Sequence, residues 1–221
     1  MSRKKNIITL IIGFAGIMAG LVGTMFANRG IMVLPIGARM VLLIAAYWLI
    51  GVVPLVLAIV NREKPVDFGF SWEKPFLQIL IGIGLGAAMS VVLTLVPHLA
   101  GFGNYVDNGN RYGFAWQFCW EFLYCTAGVG LVEEFAFRGF IYTRFKNIFG
   151  KDFLAVIFSS VLFGLFHIMG GSIVQMIITG LIGALLCFFR LKIRNCTTLS
   201  IIIAHGVYDA LITLFASLLL K

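Results

Sequence analysis

Glu133-Glu134-Phe135-Ala136-Phe137-Arg138 lies inside a long run of apolar residues, and that placement decides how the chain is read. Ionisable side chains are costly in hydrocarbon, so those at membrane depth mark a functional site by default. Two further polar intrusions follow within apolar segments: His167, and the pair His205 and Asp209. Of the 3 histidines, only His98 falls outside such a segment. A bundle that tolerates a few buried charges is the plain reading. A hydrolytic site built within the membrane is the sharper one.

Working outward, the chain has 221 residues, of which 61% are hydrophobic and 12% charged. Its mean hydropathy is +1.02. No soluble globular domain of this size has that composition. The expected class is all-α: a polytopic transmembrane helical bundle of about seven spans, each near the ~20 apolar residues that cross a hydrocarbon core. The spans read as 6–27, 36–60, 76–97, 114–143, 153–168, 173–190 and 197–219. The fourth is too long for one perpendicular crossing, so it tilts or emerges as an amphipathic extension. The fifth is short.

Charge placement supports this count. With a cytoplasmic N-terminus, the external segments hold only Arg29, Arg39, Arg111 and Lys221 of the 17 lysines and arginines. The positive-inside rule therefore favours N-terminus in and C-terminus out. The net charge of +8 is an orientation signal, and no basic soluble face exists for nucleic acid. The basic turn from Arg144 to Lys151 would sit against anionic lipid headgroups. The first apolar segment is longer than a signal-peptide core and reads as a retained span.

One membrane domain fills the chain, divisible into a three-span region at 1–113 and a four-span core at 114–221. The loop Asn61 to Pro75 is a cytoplasmic connector, with an interfacial turn expected at Phe68, Phe70 and Trp72. The loop Pro97 to Gly113 is Gly- and Asn-rich, external and expected to be mobile. No internal repeat is apparent. Gly16 with Gly20, and Gly82 with Gly86, permit close helix contact, expected to serve packing inside the bundle rather than homodimerisation. Cys119, Cys125, Cys187 and Cys196 have no CxxC spacing and read as small buried hydrophobes.

Glu134 and Arg138 are four apart on one helical face and can pair, with bidentate reach for the guanidinium. Glu133 points roughly 100° away, on the face of Phe137. Glu134 is thus neutralised locally while Glu133 is left as the unpaired carboxylate, suited to general acid–base work in a low-dielectric setting. The turn after the fourth span centres near Gly150, and Glu133 and His167 lie equally far from it, so an antiparallel hairpin brings them level. Phe163 shares a face with His167. His205 and Asp209 share a face, and Gly206 allows close approach by a substrate or another helix.

Polar side chains from three helices can converge on one cavity. A Glu and a His can hold and deprotonate water, and a second His can donate to a developing oxyanion. Alternatively Glu133, His167 and His205 ligate zinc and leave one position for water, although HExxH is absent. Ser159, Ser160 and Ser172 lack a GxSxG context.

These residues resemble the CPBP family (CAAX protease and bacteriocin-processing, or Abi) of intramembrane endopeptidases, in particular the type II CAAX prenyl endopeptidases. The family pattern is EExxxR, then FxxxH, then HxxxN or HxxxD. Here it reads Glu133-Glu134 to Arg138, Phe163 to His167, and His205 to Asp209. The three ordered blocks cover roughly the C-terminal half. The resemblance implies peptide-bond hydrolysis in a prenylated CAAX-type or other membrane-associated substrate. It implies that Glu133 and His167 activate water and that His205 and the residue at 209 stabilise the oxyanion. Glu134, Arg138 and Phe163 would support them. Well-studied members carry Asn at the position of Asp209. An ionised Asp donates no hydrogen bond, so Asp209 is a neutral acid, an orienting partner of His205, or a metal ligand.

The favoured reading is an intramembrane endopeptidase that needs no cofactor, zinc being the alternative. Its partners would be membrane lipid and a membrane-associated peptide, in a bacterial cell membrane. A non-proteolytic immunity or scaffold protein on the same fold is the second reading, and an ion-coupled transporter the third. Neither substrate identity nor oligomeric state is legible.

Overall fold

A computed structural model describes residues 1–103, 109, 111–169 and 171–219. The centre of the loop Pro97 to Gly113, expected to be external and mobile, lies outside the described residues, as does Lys221. Among the described residues there is no strand, and the chain runs as helices almost throughout. Helices satisfy every backbone group internally, which is the condition for residence in lipid.

Helix α1 spans Arg3–Ile31 and is capped by Ser2, whose Oγ accepts from the Lys5 N–H at 3.2 Å. Helices α2 (Ile36–Tyr47) and α3 (Leu49–Val60) form one crossing bent by 43°. Pro54 lies inside α3; it removes one N–H and crowds the carbonyl four residues back, one turn beyond the bend. Helix α4 begins at Pro75, where a missing N–H costs nothing, runs to Ser90, and continues as a helix to Phe102. Helix α8 (Asp152–Phe166), α9 (Ile173–Lys192) and α10 (Thr198–Leu219) complete the apolar crossings.

Among the described residues, five helices are long and apolar enough to cross a membrane, or six with the bent pair counted as one span. These correspond to six of the seven expected spans. The remaining stretch, 114–143, is helical from Ala115 but carries Glu121, Glu133, Glu134 and Arg138, which remove it from the purely apolar set. It is built from α5 (Ala115–Leu123), π turns at Tyr124–Gly130, α6 (Leu131–Glu133), π turns at Glu134–Ile141, and α7 (Tyr142–Phe149). A helix of that length reaches about 50 Å, so the segment beyond Ile141 extends past the site, as an amphipathic extension would. Gly150 ends it in the left-handed conformation (φ +67°), which glycine adopts without steric cost.

This polar helix is wrapped by the others. Phe137, Phe140 and Ile141 are fully buried against Ile17 of α1, Ile50 and Ala58 of α3, and Phe163 and Phe166 of α8. A second cluster joins Met89 of α4 to Leu186 of α9 and Ile201, Ala204 and Tyr208 of α10. The outside is apolar too: Ile11, Leu80, Phe153 and Leu181 all face outward, as a lipid-solvated surface requires. The glycine pairs pack internally. Added Cβ atoms at Gly82 and Gly86 would meet the Ser200 and Ala204 carbonyls of α10 at 2.5 and 2.6 Å, and one at Gly20 would meet Ile50 Cα at 2.7 Å.

The connector after α3 makes a 3-10 turn at Pro65–Phe68. Trp72 is exposed as an interfacial residue would be, but Phe68 is not: it is buried edge-on to Phe135, with ring centroids 5.5 Å apart. Burying that ring against the core outweighs leaving it at headgroup depth.

Candidate active site

Glu133 and Glu134 end α6 and open the following π turns, and both side chains are buried to within 1%. The turns are wide. The Tyr142 N–H reaches the Phe137 carbonyl and the Leu131 N–H reaches that of Thr126, five residues back in each case. Such bulges recur at functional sites because they re-aim side chains that a regular helix would place elsewhere.

Glu134 is the hub. Its Oε1 accepts from Arg138 Nη1 at 3.0 Å and from His205 Nδ1 at 2.7 Å. The expected Glu134–Arg138 pair is therefore present, and it extends to a second helix, α10. The Arg138 guanidinium also lies 3.8 Å over the Phe163 ring, an arrangement that a desolvated cation favours. Arg190 of α9 holds the backbone here by donating to the Arg138 carbonyl at 2.5 Å.

Glu133 differs from expectation in one respect: it is not left wholly without a partner. The Tyr47 hydroxyl, at the end of α2, donates to its Oε1. Its Oε2 is buried and unpartnered and lies 3.9 Å from His205 Nε2. The same Nε2 lies 3.3 Å from Asp209 Oδ2. His205 thus sits among three carboxylates. Because Nδ1 faces Glu134, it carries a hydrogen, and Nε2 is the nitrogen presented to Glu133 and Asp209.

Gly206 admits another helix. A Cβ there would stand 2.7 Å from Thr126 Cα and 2.8 Å from its Cβ, so α10 presses directly on the first set of π turns. That contact carries His205 to Glu134.

His167 closes α8 one turn after Phe163. Its Nδ1 is 3.0 Å from the Phe163 carbonyl, which only accepts, so Nδ1 bears the hydrogen and a neutral ring leaves Nε2 free to take a proton. His167 makes no hydrogen bond or ion pair to Glu133 or His205 among the described contacts. It reaches the cluster through Phe163, whose ring stands edge-on to the imidazole with centroids 4.6 Å apart and also lies under Arg138. The hairpin argument puts His167 on the correct neighbouring helix without delivering a direct contact to Glu133.

Glu133, His167 and His205 do not converge as a metal set. Among the described residues no three His, Cys, Asp or Glu side chains stand where one ion could be shared. Ser159 donates to the Val156 carbonyl and Ser172 caps α9, so both serve their own helices. Cys125, Cys187 and Cys196 are buried free thiols, while Cys119 is exposed.

Sequence reasoning missed Tyr47, which lies in the three-span region without a recognisable motif. It also missed that the face of His205 and Asp209 continues at four-residue spacing through Thr213 and Ser217. Thr213 donates to Glu121 at 2.7 Å, and Ser217 accepts from the Tyr112 N–H at 2.8 Å. The spacing of those hydroxyls was a usable signal; Tyr47 had none.

Residues 115–211 match the family described as type II CAAX prenyl endopeptidase Rce1-like. The match lies in the C-terminal half, over the helices that carry Glu133, His167 and His205, and is consistent with the CPBP family. No curated protein matches the chain, and no solved structure does either.

Proposed function

We propose, from the Rce1-like domain at residues 115–211, that this multi-pass membrane protein cleaves a peptide bond in a membrane-associated substrate, prenylated at a CAAX-type terminus or otherwise lipophilic, with water activated by Glu133. The observation that carries this reading is the pair of oxygens on Glu133. One is held by a hydrogen bond, and the other is buried, unpartnered and 3.9 Å from an imidazole nitrogen. An acceptor so placed can take the proton of a water molecule.

In the proposed reaction, Glu133 removes that proton with help from the free Nε2 of His167, and the hydroxide adds to the scissile carbonyl. His205, with Nδ1–H held by Glu134, acts in this step as an imidazolium among its three carboxylates and donates its second hydrogen, on Nε2, to the developing oxyanion of the tetrahedral intermediate. The proton then passes from the carboxyl to the departing amine, and the C–N bond breaks. Asp209, 3.3 Å from Nε2, orients the ring. Arg138 holds Glu134 and thereby the imidazole. No step runs through a metal, because the candidate donors do not meet at one point.

Substrate lipid has somewhere to lie. A cavity of about 540 Å³ runs along α3 and the middle of the polar helix, lined by Trp48, Leu55, Phe70, Val132 and Phe135 among others. Its wall includes Val132 and Phe135, which flank Glu133 and Glu134 on the same helix, so a hydrocarbon tail there would lie alongside the segment that carries the carboxylates. The basic-residue asymmetry supports a cytoplasmic N-terminus and an external C-terminus.

The test is cleavage of a fluorogenic prenylated peptide by detergent-purified wild type, Glu133→Ala and His167→Ala, with and without a zinc chelator. Wild-type cleavage that both substitutions abolish and the chelator leaves intact is expected. Glu133→Ala protein that cleaves like wild type would refute the assignment, and chelator-sensitive cleavage would return Glu133, His167 and His205 to the role of metal ligands.

A further inference from the structure

The reaction above draws only on side chains of the C-terminal half, yet one partly buried group from the three-span region touches its base. Tyr47 ends α2 at the 43° bend. The next residue pins that bend: Trp48 Nε1 donates to the Ala127 carbonyl at 3.1 Å, tying α2 to the first π turns. The Tyr47 ring stands edge-on to Tyr124 at 6.1 Å, and its hydroxyl donates to Glu133 Oε1. Backbone bend, indole anchor and ring contact all converge on the position of one phenolic hydrogen.

We infer that Tyr47 is a positioning residue for Glu133, supplied to the site by the segment that lies outside the matched domain. The argument rests on the geometry of a carboxylate. Its last torsion is soft and roughly two-fold, so an untethered Glu133 could present either oxygen, or rotate away from His205. A phenol held rigidly on another helix chooses for it. Oε1 is occupied by a charge-assisted hydrogen bond, and Oε2 is left facing His205 Nε2 without a competing partner. The Tyr47 hydroxyl is spent on Glu133 Oε1, so in this role it acts through Glu133. The role also gives the bent crossing a purpose: Tyr47 and Trp48, at the 43° bend, hold the hydroxyl on Glu133 and the indole on Ala127.

The inference depends on Glu133 being the base, so its test carries both questions. Wild type, Tyr47→Phe, Glu133→Gln and the double variant are purified in detergent, assayed on the prenylated peptide, and examined by infrared difference spectroscopy for the carboxylate band that Glu133→Gln removes. Loss of one hydrogen bond to a charged group should lower kcat by about 10- to 100-fold in Tyr47→Phe, with KM within about two-fold because no substrate contact is lost. The Glu133 band should shift in Tyr47→Phe, and the double variant should be no slower than Glu133→Gln. An unchanged kcat or an unshifted band in Tyr47→Phe overturns the positioning role while leaving Glu133 as base. Equal losses in kcat and thermal stability with an unshifted band would make Tyr47 a packing residue. Glu133→Gln protein as fast as wild type overturns the reading of the site itself, and with it the part given to Tyr47.

Discussion

Replacing Arg138 with methionine keeps most of the side-chain length but removes a charge from a place where only 1% of the residue is exposed. The guanidinium donates to Glu134 at 3.0 Å and lies 3.8 Å over Phe163. Breaking a buried ion pair by removing one partner costs about 3–5 kcal/mol, since the other charge is left uncompensated. Two features hold the expected loss to the low end. His205 Nδ1 still donates to the same Glu134 oxygen, and the pair is four residues apart on one helix, so part of it survives when helices separate. We therefore expect about 3 kcal/mol, which for a chain of this size lowers Tm by roughly 6–12 °C. The native thiols report the transition. Cys125, Cys187 and Cys196 are buried and react with a maleimide dye only on unfolding, over a constant signal from exposed Cys119. Adding Glu134→Gln to Arg138→Met removes the stranded carboxylate and should recover part of the loss. A single variant within about 2 °C of wild type, or a double variant less stable than the single, would refute the account of Glu134 as a charge held by Arg138.

The remaining predictions test the approach of α10 and the departure at position 209. Gly206→Ala should destabilise by about 1–3 kcal/mol through overpacking, measured by the same thiol exposure. Thr126→Ala should rescue it only in part, because the contacts at 2.7 and 2.8 Å are to Thr126 Cα and Cβ, which alanine retains. Asp209→Ala should slow cleavage by about 10²-fold or more if His205 needs its partner to serve the oxyanion. Asp209→Asn, which can accept and donate, should retain most of the rate on the prenylated peptide. An alanine variant as fast as the asparagine one would remove Asp209 from the mechanism.

How much of this molecule could be read from the chain differs residue by residue. The Glu134–Arg138 pair was legible because four-residue spacing on a helix is a local property, independent of what packs outside. The place of Gly206 was legible as a close approach, though not which helix would approach. His167 was placed on the right helix by counting from the Gly150 turn, but counting sets depth and not rotation, and the ring turns onto Phe163 and Phe166 instead of meeting Glu133. Phe68 was expected among headgroups by its aromatic neighbours; its burial depends on an opening against Phe135 and Gly139 that no local pattern announces.

Composition, charge asymmetry and three short motifs in apolar runs therefore settled the membrane class and pointed to the helices that carry the site, because hydrophobic length and i, i+4 spacing are written directly in the chain. Which oxygen of Glu133 is free, which nitrogen of His205 faces it, and that Tyr47 reaches across from a bent helix were decided only in three dimensions. Those are relations between residues 86 and 71 positions apart, set by interhelical packing and π turns, and packing across such separations leaves no periodic trace in a sequence.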